Sequence, residues 1–168
     1  APGQAMLNAG HGRGPTAGAH NWIPRGPRNV TGRIRALAIH PHDDRILFAG
    51  AGLGGVWKSN DGGETWFPLW HDEESLSIAS ISLHHDAARP IDETTVWVAT
   101  GEPVQNPANF AIEGAGVFRS TDSGASFAQV ATVAQLDGMT FIEAIACHPT
   151  DPTHAWVAGK RGVFRIIV

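Results

Sequence analysis

The 168 residues include no tyrosine and a single cysteine, and only 17% of them are charged. Without a phenol, no chemistry here runs through a tyrosine nucleophile. The lone Cys147 excludes an internal disulfide and a cysteine cluster for zinc. A formal charge of −4 with no run of Lys or Arg argues against nucleic acid or an anionic membrane as partner. No apolar run reaches the ~18–20 residues of a membrane span. No window sustains a helical period, so almost no helix is expected. The chain starts at Ala1 without Met or a signal peptide, and is read as a processed protein or an excised piece.

Glycine (20) and proline (11) are plentiful, as many short strands joined by tight turns require. Residues 1–20 mix Gly, Ala and Pro with polar residues and no hydrophobic period, the composition of a flexible arm. From residue 33 the chain repeats. Strands are expected over 33–40, 46–50, 55–59 and 65–70, then 77–84, 95–100, 116–120 and 126–131, then 141–148, 155–159 and 162–167. The intervening turns include 41–44 and 86–93. Gly-Val-aromatic-Lys/Arg recurs at 55, 116 and 162, spacings of 61 and 46 residues that fix the register of the repeat.

Ser59, Asp61, Gly63 and Trp66 are matched one unit later by Ser120, Asp122, Gly124 and Phe127. In each set a short acceptor side chain precedes glycines free to take positive φ, so the Asp is expected to bind turn amides. The aromatic folds over the hairpin as an apolar lid. One firm carboxylate per turn falls short of the ~6–8 oxygens calcium takes. These residues therefore read as structural.

Units of four antiparallel strands at this period are β-propeller blades. The expected architecture is all-β: blade 1 over 33–70, blade 2 over 75–131, and blade 3 over 140–168 without its own fourth strand. Asn21-Trp-Ile-Pro-Arg25 reads like Thr65-Trp-Phe-Pro-Leu69, so 21–30 is expected to be a linking strand. Three blades are fewer than the ~4–8 of a closed ring. Further blades are expected from a homo-oligomer or a longer parent chain.

Of the candidate chemical groups, Glu102 opens a long loop on the face where propellers usually bind. With it come Gln105, Asn106, Asn109, Phe110 and Glu113, and Arg33 and Arg35 where the inner strand of blade 1 begins. Glu143 holds the place of Arg35 in blade 3, so a charge pair across the channel is the plain structural reading. His40, His84 and His148 share one place in successive blades and are expected not to converge on a metal; no metal or cofactor is assigned. Trp57, Trp66, Trp97 and Trp156 fall at blade-core positions, leaving Trp22 and Trp70 without a place. Cys147 is expected to be an inert packing residue on an inner strand.

The paired Ser-x-Asp-x-Gly-x-x-aromatic turns, with Gly26-Pro-Arg-Asn-Val-Thr-Gly-Arg33, Ala36-Leu-Ala-Ile-His-Pro41, Gly54-Gly-Val-Trp-Lys-Ser59 and Thr100-Gly-Glu102, resemble the Asp-box or BNR-repeat proteins of the sialidase-like superfamily. They are similar to the sortilin, photosystem II assembly-factor and xyloglucanase-type propellers. The resemblance covers about residues 21–165. It implies a propeller, an extracellular or periplasmic location, and either binding or glycoside hydrolysis. Sialidases use a tyrosine nucleophile and an arginine cluster, and the first is missing. Xyloglucanase-type enzymes carry a catalytic Asp two positions before a Gly-Gly pair; here Gly52 precedes Leu53-Gly54-Gly55 and has no proton to exchange. The expected function is non-catalytic recognition of a protein or a glycan. The alternative is a piece of a glycoside hydrolase whose carboxylates lie on other blades.

Overall fold

A computed structural model describes residues 23, 33–70, 73–102 and 112–168. The expected arm (1–20), the linking strand apart from Ile23, and Gln105, Asn106, Asn109 and Phe110 lie outside the described residues. The fold is all-β, in three antiparallel sheets. The first is β1 (Ile34–His40), β2 (Asp43–Ala51), β3 (Gly55–Ser59) and β4 (Phe67–Pro68). The second is β5 (Ile78–His84), β6 (Thr95–Thr100), β7 (Gly116–Ser120) and β8 (Ala128–Thr132). The third is β9 (Ile142–Cys147), β10 (His154–Gly159) and β11 (Gly162–Ile167). Each sheet runs in chain order, the meander that tight turns between short strands impose. Single 3₁₀ turns at Ile91–Glu93 and Ala134–Leu136 are the only helix among the described residues.

Sheets stack as blades, with β5 packed on β1 and β9 on β5. Two apolar cores lie between them. Ala36, Phe48 and Val56 of blade 1 meet Ile78, Ile81, Val98 and Phe118 of blade 2. Trp97, Ala99 and Val117 of blade 2 meet Ile142, Ile145 and Val157 of blade 3. Period-2 alternation gives each sheet two apolar faces, one for each neighbour.

Several expectations need correction. The fourth strand of blade 1 shrinks from 65–70 to Phe67–Pro68, because Thr65 is bound into the preceding turn by Asp61. The turn at 41–44 narrows to 41–42, and β2 starts at Asp43. Trp70 is core: it lies edge-on to Phe118 at 5.2 Å, and its Nε1–H donates to the Ser75 carbonyl at 2.8 Å. Trp57 and Trp156 are only half-buried, for they lie on the two outward-facing blade surfaces. Cys147 is half-buried and hydrogen-bonded, accepting from Ser82 Oγ at 3.1 Å and donating to the Leu83 carbonyl at 3.0 Å.

Candidate functional site

Strand direction sorts the connections. The β2–β3 and β6–β7 loops and the links between blades lie at one end of the molecule, and the β1–β2, β5–β6 and β9–β10 turns at the other.

The loop end is built around Glu102. At Gly101 φ is +98°, and a Cβ there would meet the Thr140 carbonyl oxygen at 2.0 Å, so only glycine turns the chain at this point. Gly101 N–H donates to Ser77 O and Glu102 N–H to Ile112 O, each at 2.9 Å. Residue 102 is thereby fixed across from Ile112 in an isolated bridge. The Glu102 side chain is buried, and its Oε1 accepts from Arg35 Nη1 at 3.2 Å and pairs with Arg33 Nη2. A buried carboxylate requires such partners. Arg33 remains largely exposed. Its carbonyl accepts from Gly52 N–H at 2.9 Å, which docks the β2–β3 loop beside the pair. A Cβ at Gly52 would lie 2.5 Å from Glu102 Oε2.

The structure thus joins Arg33, Arg35 and Glu102. The expected Arg35 partner across the channel, Glu143, is exposed on β9; Glu102 takes that role because it enters from the next blade at the height of Arg35. Glu113 is exposed, with its carbonyl accepting from Ser75 Oγ at 3.3 Å. Chemically the cluster offers a guanidinium donor fork at the surface, anchored from below by a carboxylate. With Oε1 occupied and Oε2 against Gly52, Glu102 is poorly placed to pass a proton to a substrate.

At the turn end, Ser59 Oγ accepts from Gly63 N–H at 2.8 Å, while Asp61 Oδ1 accepts from the amides of Glu64 and Thr65, both at 2.9 Å. Ser120 and Asp122 repeat this, accepting from Gly124 N–H at 2.8 Å and Ser126 N–H at 2.9 Å. Bonds from the Thr65 hydroxyl, the Thr65 amide and Ser59 lower the Asp61 pKa to about 2. Phe127 packs on Trp70, ring centroids 4.9 Å apart, at the edge of the core between blades 1 and 2. Trp66 is buried, with Nε1–H donating to the Gly63 carbonyl at 3.1 Å.

The histidines make contacts across the blade junctions. His84 Nδ1 lies 3.1 Å from the His148 carbonyl, yet His40 meets His85 of the next blade, ring centroids 4.6 Å apart, with His42 5.6 Å from His85. Thr94 joins the first two. Its hydroxyl donates to Ile91 O at 2.6 Å and lies 3.0 Å from His40 Nε2 and 3.1 Å from His85 Nδ1. Because His40 Nδ1 accepts from His42 N–H, its Nε2 carries the proton that Thr94 receives. Burial, then the His85 and His42 charges, lower the His40 pKa; burial, then His42, lowers that of His85. Repeat position hid this contact, since His85 follows His84, the residue equivalent to His40. Among the described residues no group of three or more His, Cys, Asp or Glu is placed to hold a metal ion, and no helix is long and apolar enough to cross a membrane.

No family profile and no curated protein matches the chain. Solved structures do. The GH74 enzyme of Niastella koreensis is 22% identical with a TM-score of 0.56, covering 80% of this chain and 20% of that one. YCF48 of Cyanidioschyzon merolae is 19% identical with a TM-score of 0.56, covering 83% and 35%. The GH74 xyloglucanase of Xanthomonas campestris is 21% identical with a TM-score of 0.55, covering 79% and 16%. The chain therefore spans about a sixth to a third of the length of these neighbours. At such identities the likeness shows the fold, a partial β-propeller, and the fold alone does not choose a function.

Proposed function

We propose that this chain is a non-catalytic binding or assembly module that recognises a protein or a glycan through its loop end. The observation that carries this reading is the Gly52–Glu102 arrangement. Where the resembling hydrolases hold a catalytic Asp stands a glycine, and the carboxylate beside it is engaged by Arg33 and Arg35. Arg33, exposed and held at its carbonyl, is the contact residue; Arg35 and Glu102 position it. Gln105, Asn106, Asn109, Phe110 and Glu113 extend the surface. A solved complex of YCF48 with a D1 peptide supports a protein partner for such a surface. In this reading the Ser-x-Asp-x-Gly turns are structural, further blades complete the propeller, and residues 21–30 serve as the linking strand.

The second reading is a portion of a glycoside hydrolase. The GH74 likeness and the nearness of Glu102 to position 52 favour it. Its second carboxylate would have to come from other blades, at the separation that retaining or inverting cleavage requires.

Titration calorimetry of the full chain with an acidic peptide and with a xyloglucan oligosaccharide tests the proposal. Saturable binding of one probe, weakened about tenfold or more by Arg33→Ala through loss of a charge-assisted bond, is expected with an unchanged melting temperature. Binding indifferent to Arg33→Ala removes this cluster from the recognition surface.

A further inference from the structure

The two blade junctions differ at equivalent positions of the turn end. At the first, His40 of blade 1 gives its Nε2 proton to Thr94 of blade 2, and its ring faces His85 at 4.6 Å. At the second, His84 takes the place of His40, Pro149 that of His85 and Thr153 that of Thr94. Thr153 is engaged elsewhere, its hydroxyl donating to Asp151 Oδ1 at 2.6 Å. His84 bonds in the opposite sense to its equivalents. Nδ1 of His40 accepts from the His42 amide, and Nδ1 of His148 from the amides of Thr150 and Asp151. Nδ1 of His84 instead lies 3.1 Å from the His148 carbonyl. A carbonyl only accepts, so this Nδ1 carries the proton and Nε2 of the neutral ring keeps a bare lone pair.

His84 is 8% exposed, and its Nε2 has no partner among the described residues. The ring lines a cleft of about 610 Å³ between the turns of blades 2 and 3, within the ~300–1,000 Å³ of small-ligand sites. Asp86, Arg89 and Glu93 line it from blade 2, and Pro149 and Pro152 from blade 3. Arg89 Nη1 pairs with Glu93 Oε2 at 2.8 Å, so that cation is matched within its own turn. Asp86 Oδ1 accepts from Ala88 N–H at 3.0 Å, and Oδ2 has no partner among the described residues. The cleft thus sets a carboxylate oxygen and a nearly buried ring nitrogen beside two proline rings. Both unused groups accept hydrogen bonds.

We propose that this cleft binds a primary alkylammonium, the group carried by a lysine side chain or a free polyamine. An ammonium head brings N–H donors and a positive charge and accepts nothing, which suits His84 Nε2 and Asp86 Oδ2 together. Bonds to the carboxylate are charge-assisted and so among the stronger ones. The alkyl stem lies along Pro149 and Pro152, as long cationic side chains lie on apolar surface. An anion would find only Arg89, which Glu93 holds, and would meet Asp86 as a like charge. The cleft is at the opposite end of the molecule from Arg33. It therefore adds a second ligand to the module, whatever the loop end recognises.

NMR titration of the isotope-labelled full chain with Nα-acetyl-lysine methylamide and with a linear alkyl diamine tests it. Saturable shifts of the His84 ring and Asp86 amide signals are expected with at least one probe. The tighter probe then names the source, side chain or free amine. The Nε-acetylated lysine probe, which lacks the charge, and inorganic phosphate should leave those signals unmoved. Asp86→Asn keeps an acceptor for the Ala88 amide but removes the charge, and should weaken binding about threefold or more. His84→Phe removes the ring acceptor and should weaken it too, read at the Asp86 amide. Should His84→Phe fail to fold, Asp86→Asn decides alone, because it falls on an exposed turn position. Arg33→Ala should leave ammonium binding unchanged. Absence of saturation by either probe at about 10 mM, equal binding of the acetylated probe, binding of phosphate, or an affinity indifferent to Asp86→Asn overturns the site.

Discussion

Gly52 and Glu102 compete for one space: a Cβ built on the glycine lies 2.5 Å from Oε2 of the carboxylate. The glutamate is buried and its Oε1 is held by Arg33 and Arg35, so it has little freedom to yield. An aspartate at position 52 and this ion-pair cluster are incompatible as packed.

Gly52→Asp should therefore destabilise the chain by about 1–3 kcal/mol, the range of overpacking combined with like-charge contact. It should generate no hydrolytic activity. Urea unfolding of the variant beside Gly52→Ala measures the effect. A midpoint equal to wild type would show that Glu102 moves aside freely.

Ser59 is fully buried, and its Oγ accepts from the amides of Gly63 and Asp61 at 2.8 and 3.3 Å. Ser59→Ala strands a buried N–H, at a cost of about 1–3 kcal/mol. Chemical denaturation should register the loss in the midpoint without a change in slope. If the midpoint holds, the hydroxyl contributes nothing that water does not replace.

Acid should weaken the fold in two stages. His40 and His85 have pKa values lowered from 6.5, chiefly by burial, so the unfolded chain binds protons first as pH falls. Their contribution is whole above 6.5 and declines below it. Around His40 stand His85, His42, Asp43 and Lys58, of which only Asp43 raises its pKa. Asp61, lowered from 3.8 to about 2 by bonds from Thr65 and Ser59, contributes fully above 3.8 and loses that contribution as pH falls through about 2. His40→Asn keeps an acceptor for the His42 amide but cannot titrate. Its melting temperature should fall less steeply between about pH 7 and 5 than that of wild type; equal slopes would assign the first stage elsewhere.

The fold was largely legible because the repeat carries its own register. Gly55, Gly116 and Gly162 each open a strand whose Val-aromatic-Lys/Arg order is printed in the sequence, and β3, β6, β7 and β11 match their expected bounds. The fourth strand of blade 1 was overestimated, since Thr65 serves Asp61 and the turn, a competition that strand propensity does not register. Trp57 and Trp156 read as core because repeat position alone cannot tell an interior blade from a terminal one. At the loop end, Glu102, Arg33 and Arg35 were each conspicuous by position, but their meeting depends on the height at which blade 2 enters beside blade 1. The His40–His85 contact arises similarly across a blade junction, between residues 45 positions apart, where periodicity has no reach.

Whether the loop end binds without cleaving is tested most directly by incubating the full chain with xyloglucan and measuring new reducing ends, beside Glu102→Gln. With Glu102 engaged by Arg33 and Arg35 and a glycine at position 52, no reducing ends should appear above the buffer background in either protein. Reducing ends released by the wild type and lost in Glu102→Gln would contradict the binding account and establish the carboxylate as catalytic.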